Sequence, residues 1–508
     1  MIPVLLILIP LLTGLATFFI RNEKAIRSFI LVVSIVVLVI SLVGIIFFRD
    51  TRLMEHHSAF MTALGSSLSL RLDGMGQLLC LLTAIAFVLI FLSSWDSLFR
   101  YKKANNFFAL MMLSQAGLMG VFLAMDALLF YFFWELALIP VYFLCSQWGG
   151  ERRIAVTFKF FIYTFVGSLL MLIGILYVAG HNPDQSFSID SFYKAKLSFK
   201  EQSWLFWLFF IAFAIKMPVF PFHTWQPDTY EQSPTPVTMI LSGVMVKMGL
   251  LGVIRWLLPL FPAAANNWAT LISTLCIVGI IYASLIAMRQ DDLKRLIAYS
   301  SIAHIGLMCL AVFAHNTIGL QGVMLQMFNH GINIIGLWIL VEMIEKRFGT
   351  RKMSELGGLA QKNPSMAIFF VLIALGNIAL PLTNAFIGEF MMFNGIFSSN
   401  VYDGNYTIFG TIRLNANSFA TVYTICAGLG IILAAVYTLN MIRKVFYGET
   451  VTAIAGAKDI RRYERLALLM IVIMILGIGI YPQAVLNITN DVTDSILKIS
   501  DLVKDLKK

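Results

Sequence analysis

Apolar runs of 18 or more residues recur from one end of this chain to the other, separated by short polar connections. A run of that length, wound as a helix, crosses the roughly 30 Å hydrocarbon core of a bilayer. Fourteen spans are predicted, near 2–20, 27–48, 74–95, 105–124, 126–147, 157–179, 203–220, 236–257, 268–288, 297–315, 319–344, 365–395, 418–442 and 467–485. The longest polar connections, about 49–73, 180–202, 396–417 and 443–466, are too short for cores of their own. The pattern therefore predicts an all-α polytopic membrane protein without a soluble domain. After Pro482 the apolar positions return at helical spacing, which predicts a short surface or interfacial helix.

Composition agrees: 59% of residues are hydrophobic and only 13% charged. The formal charge of +10 would suggest nucleic acid in a soluble chain. Here the basic residues sit in short loops and are better read as a topology signal. Arg21, Lys24, Arg27, Arg100, Lys102, Lys103, Arg289, Lys294, Arg295, Arg351 and Lys458 fall on one side, with others near them. Fewer, including Arg49, Arg71, Arg255, Lys507 and Lys508, fall on the other. This bias puts both termini on the outer face of the membrane. The first run lacks a small-residue cleavage signal and leads at once into a second, so it is expected to be retained. The five cysteines lie in apolar runs without metal-ligand spacing. No nucleotide-binding glycine pattern and no iron–sulfur spacing occurs.

Charges inside the spans point to function, because an ammonium or carboxylate in hydrocarbon is costly. Between Trp204 and Arg255 two apolar segments flank a proline-rich turn, and each carries a central lysine, Lys216 and Lys247. Pro218 and Pro221 should break the helix just past Lys216. Glu135 sits among aromatics in FFWELALIP, either as a structural carboxylate or as the partner of a lysine, each lowering the cost of the other's charge. Glu389 follows Pro381 by eight residues in a second interrupted span. Lys159, close to Arg152 and Arg153, can join this set or snorkel to the inner surface. His304 and His330 can pass a proton near neutral pH, or act only as hydrogen-bonding residues. His223, in the loop after the first break, can cap that break or meet a proton from the inner side.

The spacing of these groups hints at a repeat. His304 follows Glu135 by 169 residues, His330 follows Lys159 by 171, and Glu389 follows Lys216 by 173. Two five-helix units fit, spans 4–8 and 9–13, with an odd helix number making them inverted. The expected divisions are residues 1–103, 104–257, 258–445 and 446–508.

Five stretches carry a wider likeness: FFWELALIP, the segment from KMPVFPFHTWQPDTYEQSPTPV to VKMGLLGVIR, RQDDLKRLIAYSSIAHIGL, MFNHGINIIGLW and NAFIGEF. On them the chain resembles the antiporter-like membrane subunits of respiratory complex I, the proton-pumping NADH:quinone oxidoreductase, and most closely their M-type branch. The resemblance implies 14 helices, two inverted five-helix repeats and broken helices 7 and 12. It implies a proton relay: Glu135 paired with Lys216, then Lys247, with His304 and His330 along the axis and Glu389 opening outward. It also implies that this subunit binds no cofactor, and that NADH, FMN, iron–sulfur clusters and quinone belong to partner subunits. Neighbours would be L-like and N-like antiporter subunits and lipid, with no nucleic acid. Glu389, where sister branches carry lysine, and the lack of a long lateral helix favour the M-type branch. A multisubunit cation/proton antiporter or membrane-bound hydrogenase subunit is the alternative from the same module, and a purely structural spacer is the alternative from another class. Two departures stand out. PDTYEQ puts Tyr230 where the family has histidine and adds Glu231, and the second break reads ALPLTNAF instead of a glycine-rich form.

Overall fold

The computed structural model describes residues 1–47, 51–95, 103–402, 406–408, 412–414, 416–449 and 459–506. Of the basic residues used for orientation, Arg49, Arg100, Lys102, Lys458, Lys507 and Lys508 lie outside that set. Among the described residues, eleven helices are long and apolar enough to cross a membrane. A shorter first helix and two interrupted crossings complete the fourteen-span pattern.

The crossings follow the chain. They are α1 (Ile2–Thr17), α2 (Glu23–Ile46), α3 (Gly74–Ser93), α4 (Ala104–Leu123), α5 (Ala127–Trp148) and α6 (Arg153–His181). The seventh crossing is broken into α7 (Phe199–Lys216) and α8 (Gln226–Gln232), and α9 (Thr235–Leu260) follows. Next come α10 (Pro262–Arg289), α11 (Leu293–Val312) and α12 (Thr317–Phe348). The twelfth crossing is broken into α13 (Pro364–Asn377) and α14 (Asn384–Phe397), before α15 (Ala416–Phe446) and α16 (Arg462–Ile480). Each five-crossing unit thus carries its break in the fourth crossing, as the site spacing predicts.

Helix starts are set by local chemistry. Side chains of Asp73, Asp126, Asp292 and Asn316 accept first-turn backbone hydrogens of α3, α5, α11 and α12. Ser198 and Glu201 form a capping box on α7, while Pro262 and Pro364 occupy the first turns of α10 and α13. Two short hairpins qualify the all-α expectation: β1 (Glu55–Ala59) with β2 (Ser67–Arg71), and β3 (Tyr406–Ile408) with β4 (Ile412–Leu414).

Burial grades from the middle outward. α9 and α12 are buried along their spanning windows, whereas α2 and α15 turn most of theirs outward. A charge on α9 or α12 is therefore far from lipid. The tail forms α17 (Gln483–Leu506), longer than the short helix expected. It lies against α3 so closely that a Cβ on Gly74 would come 1.8 Å from the Ile488 carbonyl oxygen.

The two breaks differ in their backbone. After Lys216 the chain leaves the helix through Met217–Trp225, with Pro218 and Pro221 in the turn and a cis Phe220–Pro221 bond. After Asn377 it turns through residues 378–383, with Ala379 (φ 56°) and Leu382 (φ 72°) in the left-handed region that favours glycine. A third irregularity was not legible beforehand: α9 widens into π turns at Leu241–Met245 and Val253–Leu257, on either side of Lys247.

Candidate functional site: a buried chain of ionisable groups

The π turns set the geometry at Lys247. Its ammonium folds back to donate to the Ser242 carbonyl at 2.8 Å and meets Nδ1 of His330 at 2.9 Å. An ammonium only donates, so Nδ1 accepts and the His330 proton sits on Nε2. Nε2 then faces the Ser301 hydroxyl at 3.3 Å. Ser301 lies one helical turn before His304, whose ring centroid is 5.7 Å from that of His330. His304 Nδ1 lies 3.4 Å from Glu389 Oε1, and Asn377 Nδ2 lies 3.5 Å from His304 Nε2. Gln326 also donates to Glu389 Oε1 at 3.4 Å. Lys247, His330, His304 and Glu389, all buried, form one contiguous series from the centre of α9 to the second broken crossing.

Beyond Glu389 a small cavity of about 20 Å³ is lined by Glu389, His304 and Tyr437 with apolar residues of α10, α11 and α15. Tyr437 donates to Ser300 at 2.9 Å, next to the serine that serves His330.

The other end of the set is arranged differently. Lys216, the last residue of α7, is buried, and its Nζ has no hydrogen-bond partner. The expected Glu135–Lys216 ion pair is not closed. Glu135 is within electrostatic reach of the lysine, but no contact within 4 Å joins them, and Glu135 Oε1 is itself without a partner. The ammonium instead points at aromatic rings that offer it a cation–π contact, with Nζ 5.6 Å from the Trp134 centroid and 6.0 Å from that of Phe160. No direct contact joins Lys216 to Lys247. Their helices nevertheless press together, since a Cβ on Gly249 would lie 2.7 Å from the Phe213 carbonyl oxygen.

Lys159 does not join the central series. It donates to the Thr224 carbonyl at 2.9 Å and pairs with Asp228 at 3.0 Å, which holds the first break against α6. His223 is buried and stacks on Phe220, with Nδ1 unpartnered.

Residues that the sequence reading passed over complete the arrangement. Asp228 also meets Arg295 at 3.1 Å, and Glu231 meets Arg295 at 2.7 Å, Arg152 at 3.4 Å and Arg351 at 3.5 Å. The extra glutamate of PDTYEQ is thus matched by three arginines. Beside it a cavity of about 300 Å³ is lined by Glu231, Lys294, Glu342, Glu345, Lys346 and Arg351 with neighbouring loop residues. Arg255, counted above on the outer side, is buried inside α9 and holds Asp73 at 2.6 and 2.7 Å. Its position four residues before Pro259 resembles a helix end, which hid its depth. Helical spacing offered a signal for two others: Ser301 precedes His304 by three residues and Gln326 precedes His330 by four.

A helical membrane bundle with paired broken crossings and a buried lysine–histidine–glutamate series is the architecture of antiporter-like subunits. The family model described as NADH:quinone oxidoreductase/Mrp antiporter, TM matches residues 124–415, and the chain belongs to that family. Within it the chain matches subunit M proteins along nearly its whole length. It is 34% identical over 503 residues to NADH-quinone oxidoreductase subunit M of Rickettsia prowazekii, covering 97% of each chain. It is 34% identical over 457 residues to the Escherichia coli K12 protein of that name, covering 87% of this chain and 85% of the other. A chain of respiratory complex I from Thermus thermophilus superposes with a TM-score of 0.87 at 25% identity, covering 98% of this chain and all of that one. A chain of the Mrp complex from Dietzia sp. shares the fold at 18% identity with a TM-score of 0.84, covering 100% of this chain and 99% of its own. No cluster of three or more metal-ligating side chains occurs among the described residues.

Proposed function

We propose that this chain is the M-type proton-translocating membrane subunit of an NADH:quinone oxidoreductase, with Lys247, His330, His304 and Glu389 as its relay. The observation that carries this reading is the unbroken series of contacts from the Lys247 ammonium through His330 and His304 to Glu389. Such a series lets a proton advance by short transfers while each buried charge keeps a neighbour. Ser301, beside the His330–His304 step, holds the His330 end of it.

Protons enter through the charged cavity beside Glu231 and leave through the cavity beyond Glu389. Glu135 and Lys216 form the input end: closing their pair adds a positive neighbour's pull on a carboxylate, and opening it releases that pull toward Lys247. The division into residues 104–257 and 258–445, flanked by 1–103 and 446–508, gives each half one broken crossing with a buried ionisable group beside it, Lys216 in the first and Glu389 in the second. NADH, FMN, iron–sulfur clusters and quinone reside in partner subunits, and L-like and N-like subunits flank this one in the membrane arm. The membrane is the bacterial inner membrane, with both termini outside.

The test is proton pumping measured against NADH oxidation in membranes carrying Lys216→Ala or Lys247→Ala, with assembly of the complex checked alongside. An assembled complex whose pumping falls by about tenfold or more supports the relay, in line with the loss expected for a proton-transfer group. Full pumping in both variants makes the buried charges scaffold.

A further inference from the structure

A buried ammonium without a hydrogen-bonding partner needs some other favourable neighbour, and Lys216 has one on each of two sides. On one side lies Glu135, the charged group that acts on it. On the other lie the rings of Trp134 and Phe160, both near the 6 Å reach of a cation–π contact. We propose that Trp134 and Phe160 form an aromatic seat that receives the Lys216 ammonium whenever the lysine leaves Glu135.

The geometry supports a built seat. Trp134 is fully buried and locked by Phe130 and Phe213, at centroid distances of 5.6 and 5.7 Å. Phe160 is fully buried and packs on Trp225 at 4.8 Å. Trp225 in turn donates its indole hydrogen to the Ile215 carbonyl at 2.9 Å, one residue before Lys216. The seat is therefore fastened to the same helix end that carries the ammonium. Trp134 and Glu135 are consecutive on α5, so their side chains leave that helix about 100° apart. In this scheme the lysine side chain turns between the two.

The chemistry of the two seats differs in a useful way. A carboxylate can take the lysine's proton, whereas an aromatic face attracts the cation and has no site to accept a proton. The ring pair lets the ion pair open while the lysine stays protonated, and it removes the alternative of a bare ammonium in a dry interior. Trp134 and Phe160 are positioning residues in this scheme, and the scheme rests on the relay reading above.

A series of fluorinated tryptophans placed at position 134 in the full complex tests it, because fluorine drains the ring's negative face with little change of shape. Proton pumping per NADH oxidised should fall stepwise with each added fluorine, by about threefold to tenfold across the series, with assembly unchanged. Phe160→Leu should give a smaller loss in the same direction, and Trp134→Phe should restore part of what Trp134→Leu removes. A flat response along the fluorinated series overturns the seat. If Lys216→Ala abolishes pumping while the series is flat, only the seat fails. If Lys216→Ala and Lys247→Ala both leave pumping intact, the relay reading fails with it.

Discussion

The two broken crossings occupy matching places in the two halves of the chain, yet they hold their charges by different means. Lys216 ends α7, where the negative end of the helix dipole favours a cation, and it is otherwise surrounded by rings. Glu389 lies in the second turn of α14, past the reach of the dipole, and is held by His304 and Gln326. The first charge can move with little loss because no hydrogen bond ties it down. The second must exchange specific partners to move. A scaffold used twice has been given one loosely held charge and one tightly networked charge, which suits an input that swings and an output that hands protons on.

Breaking this contrast at Glu389 should have the largest effect. Glu389→Gln keeps the shape and removes the charge and the proton site. Pumping in membrane vesicles should fall about tenfold or more while the complex still assembles. His304→Asn comes next: it retains a polar partner for Glu389 but removes the ring that bridges to His330. A pumping loss of about threefold to tenfold is expected, with NADH oxidation by the detached catalytic partners unchanged. Unaltered coupling in either variant would mean that the second half does not carry protons through this series.

The backbone of the second break offers a milder probe. Ala379 and Leu382 adopt left-handed conformations that cost side-chain-bearing residues energy. Replacing both by glycine should stabilise the subunit by about 1 kcal/mol in total, read as a rise in the thermal transition of the purified complex. A fall instead would show that the methyl and isobutyl groups pack more usefully than their conformations cost.

The smallest effect is expected at Asp459, outside the membrane, whose carboxylate accepts backbone hydrogens from Ser365 and Met366 at the start of α13. Burial alone would raise its pKa, but a hydrogen bond from the Ser365 hydroxyl, with the backbone hydrogens of Ile460, Ser365 and Met366, outweighs burial and holds it below the usual value. A depressed folded-state pKa means the stabilisation is present above the unfolded value, near 3.9, and is lost as pH falls through the lower folded one. Asp459→Asn should cost about 1 kcal/mol at neutral pH, measured by thermal unfolding, and should remove that acid-range dependence.

Much of this could be read in advance because hydrocarbon penalises charge so heavily. The spans, both breaks, Lys216, Lys247 and Glu389 stand out against apolar surroundings. What escaped was conformational. Nothing in VTMILSGVMVKMGLLGVIRWL announces two π turns, since they add a residue per turn without changing residue type. The open state of Glu135 and Lys216 depends on a rotamer, and the buried pairing of Arg255 needs Asp73, brought against it at the start of α3. Ser301 and Gln326 carry helical spacing to the histidines, but small polar residues are too common in such helices to stand out alone.

Glu231 belongs to the first half of the molecule, whereas Arg295 and Arg351 belong to the second. That clasp has a mechanical consequence. A transporter that rocks one bundle against the other would have to tear these contacts open at every cycle, along with the Asp228–Arg295 pair beside them. Reorientation confined to side chains and water leaves them intact. Under the relay proposed above, these contacts would hold the two halves as a single stiff casing, and rotamer hops and wetting inside it would set turnover in place of the slower swing of whole domains.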